Sequence, residues 1–296
     1  MRSIIRVAAG IVLSVFGLLA GQSYANEACA DLVSFLPQDT LIKTAETVDN
    51  GTLHCKVVGV IEKEINFELL LPNQWNGRFM MGGGGAYVGS IQNQALAYGS
   101  GPGALERGYA TVGTDTGHVS SYVDGSWALN NIERQENFGH RAVHLTAVTA
   151  KAIIERYYGG APEYSYFVGC SRGGGQAMME TQRYPEDFDG LVAGAPAYDW
   201  PGFRAGQIRT LQKMYPDGDT RVSVLTRANL ELLGTRIIAA CDSRDGVADG
   251  ILTDPRDCPF VPDDLAIWAG NAGGACVTTE QLTAIKAFYD APVIDG

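Results

Sequence analysis

The chain has 296 residues, 46% of them hydrophobic, enough apolar content for one large core or two modest ones. Its formal net charge of −11 makes nucleic acid and anionic membrane surfaces poor partners. That charge places no restriction on a neutral or aromatic small molecule.

In chain order, the first feature is a targeting segment. Arg2 and Arg6 form a positive start, Ile11 to Ala20 an apolar run, and Ser23-Tyr24-Ala25 a small-x-small cleavage pattern. Residues 1–25 therefore read as a signal peptide. The mature chain from Asn26 is expected to be secreted or periplasmic, with no membrane segment. An uncleaved anchor is the other reading of the same apolar run. Export makes the six cysteines readable as disulfide formers. Cys29 and Cys55 could pair, as could Cys241 and Cys258; Cys170 and Cys276 remain.

Residues 53–61 and 65–72 alternate as strands do, and 73–77 form a turn. Arg78-Phe79-Met80-Met81 is a short apolar strand running straight into four glycines, Gly82 to Gly85. Esterases donate backbone N–H groups to an oxyanion from such a loop, and the donor here would be Gly84 or a neighbour. A merely flexible glycine loop is the alternative. Residues 109–114 form another strand, with Asp115 and His118 beyond its end as candidates for lining a site; His118 also suits a purely structural role. Phe138, Ala142, Leu145, Val148 and Ala152 recur at helical spacing, predicting an amphipathic helix over 138–157. His140 and His144 lie on it as packing or surface residues, with nothing at metal-ligand spacing beside them.

The most informative stretch follows Gly159-Gly160-Ala161-Pro162. An apolar strand over 164–168 leads into Gly169-Cys170-Ser171-Arg172-Gly173, which matches G-x-S-x-G, and 176–183 read as a helix. In a nucleophile elbow, small residues on either side let strand and helix pass closely, and the serine hydroxyl projects from the sheet. A structural serine in a tight turn is the competing reading. Residues 188–196 make a plausible next strand. The order strand, helix, strand, elbow, helix, strand predicts parallel α/β architecture.

After Pro196 the pattern changes. Residues 198–203 are turn-rich, Ser223 could cap a helix through Ala240, and Thr278 with Gln281 makes a capping box before Leu282. Between them lies an acidic loop, Asp242 to Ile251, whose Asp242, Asp245 and Asp249 suit a hard cation. An acidic surface loop reads the same way.

Gly169-Cys170-Ser171-Arg172-Gly173-Gly174, the stretches 183–190 and 193–196, Gly82 to Gly85, Thr114 to His118 and Cys241 to Ile251 resemble the tannase and feruloyl esterase family. That family includes the mono(2-hydroxyethyl) terephthalate hydrolase, and the resemblance covers nearly all of the chain after the leader. It implies an α/β-hydrolase core over 26–198 and the start of an inserted lid domain over 199–296, both incomplete at the C-terminus. It implies a serine esterase for esters of aromatic acids, feruloyl or galloyl in type, working through an acyl-enzyme on Ser171. The oxyanion hole would be the N–H of Arg172 and one from the glycine loop, Gly84 or near it. It also implies a structural calcium ion in the lid, held by the side chains of Asp242, Asp245 and Asp249 and the carbonyls of Val247 and Ile251.

Elbow hydrolases carry the order Ser, acid, His, yet all four histidines (His54, His118, His140, His144) precede Ser171. Family members place acid and His near the C-terminus, with a cysteine after the His bonded to the one before the serine. Cys170 is thus expected to pair with a cysteine outside these residues, in a longer enzyme of which this chain is the N-terminal part. The alternatives are a truncated product without turnover, a non-catalytic binding module, or another elbow class such as a peptidase or acyltransferase.

Overall fold

A computed structural model describes residues 28–97, 99–267 and 276–290. The expected signal peptide, 1–25, lies outside them. The chain divides into two compact units, 1–198 and 199–296.

In the first unit, β-branched and alternating runs build a seven-stranded sheet. Its strands are β1 (Thr40–Asp49), β2 (Leu53–Ile61), β3 (Ile65–Pro72), β4 (Arg78–Gly82), β5 (Ala110–Thr114), β6 (Tyr164–Cys170) and β7 (Gly190–Gly194). The spatial order is β1-β2-β3-β5-β4-β6-β7. Pairs β1/β2, β2/β3 and β3/β5 are antiparallel, and β5/β4, β4/β6 and β6/β7 are parallel. Every residue of β5 is buried, as expected of a strand covered on both faces. β1 is an edge strand; Thr40 and Ile42 are its buried residues, so its alternation is weak in the sequence.

The helix predicted over 138–157 is a composite. A short α1 (Ile132–Glu136) runs through a π turn at Asn137–Arg141 into α2 (Ala142–Tyr158), which Gly159 ends in the left-handed conformation. The π turn inserts an extra residue between α1 and α2. Ala142 is buried as expected, and the buried face of α2 also takes Val143, Ala147, Ala150, Ile153 and Ile154. Val148, expected on that face, is 47% exposed. These α2 residues pack with Phe67, Phe79, Met81, Val112 and Phe167 in one core. A disulfide between Cys29 and Cys55 ties the N-terminal turn to β2.

α3 (Arg172–Arg183) follows β6 directly. In the second unit, α4 (Trp200–Met214) begins inside the stretch expected to be turn-rich. The Asp199 side chain caps it by accepting from Gly202 N–H at 3.1 Å, and Pro201 sits in the first turn, where no N–H is needed. The helix α5 (Arg227–Cys241) is capped by Thr226 rather than Ser223, since Thr226 and Asn229 close a reciprocal box; Ser223 Oγ instead accepts from Leu225 N–H. α6 (Thr279–Tyr289) begins at the capping box of Thr278 and Gln281. Leu225, Leu265, Val277, Leu282 and Ile285 form a separate core.

Between α2 and α3 lies a buried polar cluster. His144 Nδ1 is 2.6 Å from Asp187 Oδ2 and stacks on Tyr184, and the Lys151 ammonium donates to the Asp187 carbonyl. Glu180 is 1% exposed, and neither of its carboxylate oxygens has a hydrogen-bond partner among the described residues. Burial, with the nearby Asp187 charge adding to it, pushes the Glu180 carboxyl up to about 9. A carboxyl whose folded pKa lies above its unfolded value binds the extra proton in the folded state. Its contribution is complete below the unfolded value and is lost as pH rises towards 9. Glu180→Gln should therefore remove up to roughly 1.4 kcal/mol of pH dependence per pH unit in that window. Urea unfolding at pH 5, 7 and 9 measures this, and the variant should gain on the wild type steadily as pH rises.

Candidate active site

Ser171 sits where β6 meets α3, at φ 59° and ψ −117°. A non-glycine residue in that region carries about 1–3 kcal/mol of strain and persists only where its surroundings over-determine it. Three backbone bonds do so here. Ser171 N–H donates to the Gly194 carbonyl at 3.0 Å, and the Ser171 carbonyl accepts from Gly175 N–H at 3.1 Å and Ala197 N–H at 2.9 Å. The elbow is thus fixed by its own helix and by the end of β7.

The glycines are there because backbones nearly touch. A Cβ on Gly169 would lie 2.4 Å from the Gly173 carbonyl, and one on Gly174 would lie 2.3 Å from the Gly194 oxygen. Ser171 itself is exposed, and its Oγ has no hydrogen-bond partner among the described residues. The Arg172 N–H opens α3, where the first amides lack intrahelical acceptors.

The glycine loop after β4 passes directly over this turn. Gly83 N–H donates to the Val168 carbonyl at 2.8 Å, and a Cβ on Gly83 would lie 2.7 Å from Gly173 Cα. The structure therefore brings the elbow and the loop together. It also shows partners that sequence reading missed. Gly84 N–H donates to Gln176 Oε1 at 3.1 Å, and Gly85 N–H to Gln92 Oε1 at 2.7 Å. Gln94 clasps the residue before the serine, with Oε1 accepting from Cys170 N–H at 2.7 Å and Nε2 donating to the Cys170 carbonyl at 3.3 Å. Gln176 is 2% exposed in an α3 turn otherwise made of glycine and alanine, and that lone polar residue was the available signal.

Asp115 and His118 do not line an open cleft; each is 1% exposed. Asp115 accepts from Asn66 N–H at 3.0 Å, Asn66 Nδ2 at 2.6 Å and Gly117 N–H at 2.9 Å, so it holds the turn after β5. Burial outweighs those bonds and pushes its carboxyl up to about 6. His118 stacks on Trp127 at 3.7 Å and meets the Tyr87 carbonyl through Nε2 at 3.0 Å; burial lowers its pKa. His54 Nδ1 contacts the Thr52 carbonyl at 2.7 Å, and His140 Nδ1 the Tyr184 hydroxyl at 2.8 Å. With His144 on Asp187, all four histidines are engaged away from Ser171.

In the second unit, a disulfide from Cys241 to Cys258 closes the acidic loop. Its carboxylates cap the loop's own backbone. Asp242 Oδ1 accepts from Gly250 N–H at 2.8 Å, Asp249 Oδ1 from Ile251 N–H at 3.0 Å, and Asp245 Oδ1 from Val247 N–H at 3.1 Å. Asp245 Oδ2 takes the Thr253 N–H and hydroxyl, which hold its pKa low. Among the described residues, no three acidic, His or Cys side chains gather closely enough to hold a metal ion. The donor set is nonetheless all oxygen, the chemistry a hard cation takes. Cys170 is an exposed free thiol, and Cys276 is also unbonded.

A strained serine between a parallel strand and a helix, with a glycine loop from the neighbouring strand above it, defines an α/β-hydrolase. The chain belongs to the tannase and feruloyl esterase family, whose model, described as "Tannase and feruloyl esterase", matches residues 50–295. A probable feruloyl esterase from Arthroderma benhamiae is 35% identical over 276 residues, covering 88% of this chain and 49% of its own. The mono(2-hydroxyethyl) terephthalate hydrolase of Piscinibacter sakaiensis is 35% identical over 276 residues, covering 81% and 46%. The crystal structure of feruloyl esterase B from Aspergillus oryzae superposes with a TM-score of 0.76 at 27% identity, covering 89% of this chain and 56% of that one. The chain thus spans about half the length of these relatives.

The close packing sets a test. Gly174→Ala drives a Cβ into the Gly194 carbonyl and should destabilise by at least about 1–3 kcal/mol. Gly206→Ala, on α4 with open space around it, should stabilise by about 0.5–1 kcal/mol. Chemical denaturation of the two variants should show opposite signs.

Proposed function

We propose that the protein is a carboxylic-ester hydrolase cleaving esters of aromatic acids, of feruloyl or galloyl type, through an acyl-enzyme on Ser171. The observation that carries this reading is the exposed Ser171 held at φ 59° at the head of α3. The names of the relatives, a probable feruloyl esterase and a terephthalate monoester hydrolase, support the aromatic acyl group.

In the first step Ser171 Oγ bonds to the ester carbonyl carbon, its proton passes to a base, and the carbonyl π pair moves onto oxygen. The N–H of Arg172 and one from the Gly82–Gly85 segment receive that oxyanion. For Gly84 to serve, its N–H must turn from Gln176 Oε1 or be shared with the new oxygen. Collapse expels the alcohol, which takes up the proton. Water then adds to the acyl carbon, releases the acid and restores the Ser171 hydroxyl. The base and the acid that orients it belong to the part of the relatives' length that this chain does not span, because the four histidines here are engaged elsewhere. Cys170 is assigned to a disulfide with that same part. The two disulfides suit an oxidising compartment, and we read the protein as secreted or periplasmic. Calcium, when bound, would brace the acidic loop through Asp242, Asp245 and Asp249 and the carbonyls of Val247 and Ile251.

In the protein expressed from its complete reading frame, Ser171→Ala should lower turnover of an aryl ester by about 10⁶-fold. Wild-type turnover in that variant would remove Ser171 from the reaction. Hydrolysis of the ester, but not of an amide of the same acid, separates esterase from peptidase. For calcium, a chelator should lower the melting temperature and added calcium restore it by mass action. Asp245→Ala should abolish the response, whereas a melting curve indifferent to chelator and calcium leaves a plain acidic loop.

A further inference from the structure

The Arg172 side chain has no part in the reading above, which uses only its backbone N–H. It is 4% exposed, yet no carboxylate pairs with it among the described residues. Its Nη2 donates to the carbonyls of Phe138 and Gly139, its Nε has no partner among the described residues, and the Phe138 ring lies 4.3 Å from the guanidinium carbon. Both carbonyls come from the π turn 137–141. Phe138 continues into a stack, with Trp127 at 5.1 Å and His118 on Trp127 at 3.7 Å. His118 ends that stack on the Tyr87 carbonyl, just after the glycine loop.

Two costs meet at this residue. A buried cation without a counter-ion is expensive. A cation in the first turn of a helix also opposes the helix dipole. The guanidinium lies against that turn, since a Cβ on Gly175 would be 3.4 Å from its Nη1. Burial pulls the Arg172 pKa down only to about 10, so the charge remains at neutral pH. Both unfavourable features make the potential at the head of α3 more positive, which is where a negative charge develops if Ser171 attacks a carbonyl.

We propose that the Arg172 guanidinium is a positioning residue for acyl transfer: a fixed positive charge behind the first turn of α3, with no carboxylate partner among the described residues, that stabilises the oxyanion formed at Ser171. This rests on Ser171 being the nucleophile. At an effective dielectric of about 20, a unit charge on the order of 10 Å from any developing charge is worth roughly tenfold in rate, which sets the size of effect to look for.

The test uses the protein from its complete reading frame. Arg172→Gln keeps a donor for the Phe138 and Gly139 carbonyls but removes the charge; Arg172→Lys keeps the charge. An arylboronic acid, which forms an anionic tetrahedral adduct with a reactive serine, reports on the oxyanion. A neutral, unreactive amide of the same acid reports on ground-state binding. Arg172→Gln should lose roughly tenfold in kcat with KM unchanged, and the same factor in boronate affinity, while amide affinity stays constant. Arg172→Lys should recover most of both losses. Should Arg172→Gln fail to fold, Arg172→Met carries the same expectation. Wild-type kcat and boronate affinity in the neutral variant overturn the proposal, and so does an equal loss in Arg172→Lys or a parallel loss of amide binding. Ser171→Ala run alongside separates the two readings: if it turns over normally, the nucleophile assignment has failed, and if it is dead while Arg172→Gln is normal, only the Arg172 proposal has.

Discussion

The bond from Ser171 N–H to the Gly194 carbonyl, with Ala197 N–H returning to the Ser171 carbonyl, is the constraint on which this structure turns. It joins the residue after β6 to the end of β7, so the two strands hold the strained φ by more than the local turn could supply. The glycines follow from it. Once strand and helix are drawn that close, there is no room for a Cβ at 169 or 174. In the neighbouring loop Gly83 answers to the same constraint, because it lies against Gly173, whereas Gly82 is held by Asn93 and Ala95.

Three glutamines complete that arrangement. Gln92, Gln94 and Gln176 give the tight loop and the strand end the partners that backbone geometry denies them. Amide side chains suit this work, since each offers both an acceptor and donors without a charge to bury. The ionisable side chains away from the elbow have other work: Asp115 holds the turn after β5, and Glu180, Asp187, Lys151 and His144 lie between α2 and α3.

How far the sequence could be read depended on how local each signal was. The elbow, the glycine loop, the central strands and the box at Thr278 are written in neighbouring residues, and the structure forms them there. β1 was not legible because, at a sheet edge, Thr40 and Ile42 are its only buried residues, so alternation fades. The face of α2 was read only in part: Ala142 is buried and Leu145 packs on the core, but Val148 faces outward, and the buried Thr146 and Thr149 are polar, so hydrophobicity alone does not mark the inner face. The first turn of α4 was read as part of a turn-rich stretch because Trp200-Pro201-Gly202 looks like a breaker until Asp199 is recognised as its cap. Asp115 and His118 drew attention as polar residues beyond a strand, and it took three-dimensional contacts to show them serving the backbone and an aromatic stack. The glutamine partners of the glycine loop depend on pairings up to 92 residues apart, beyond any window of sequence.

The separate core of the second unit has a consequence for how such a protein can vary. Leu225, Leu265, Val277, Leu282 and Ile285 pack on one another as a core of their own. Changes on the outer surfaces of α4 to α6 can therefore accumulate without passing through the ångström-scale tolerances that govern Gly169 and Gly174. Sterics leave almost no choice of residue at Gly169 and Gly174, whereas exposed positions on those helices face no such limit. Lineages of this architecture should diverge fastest where the elbow's packing has no say.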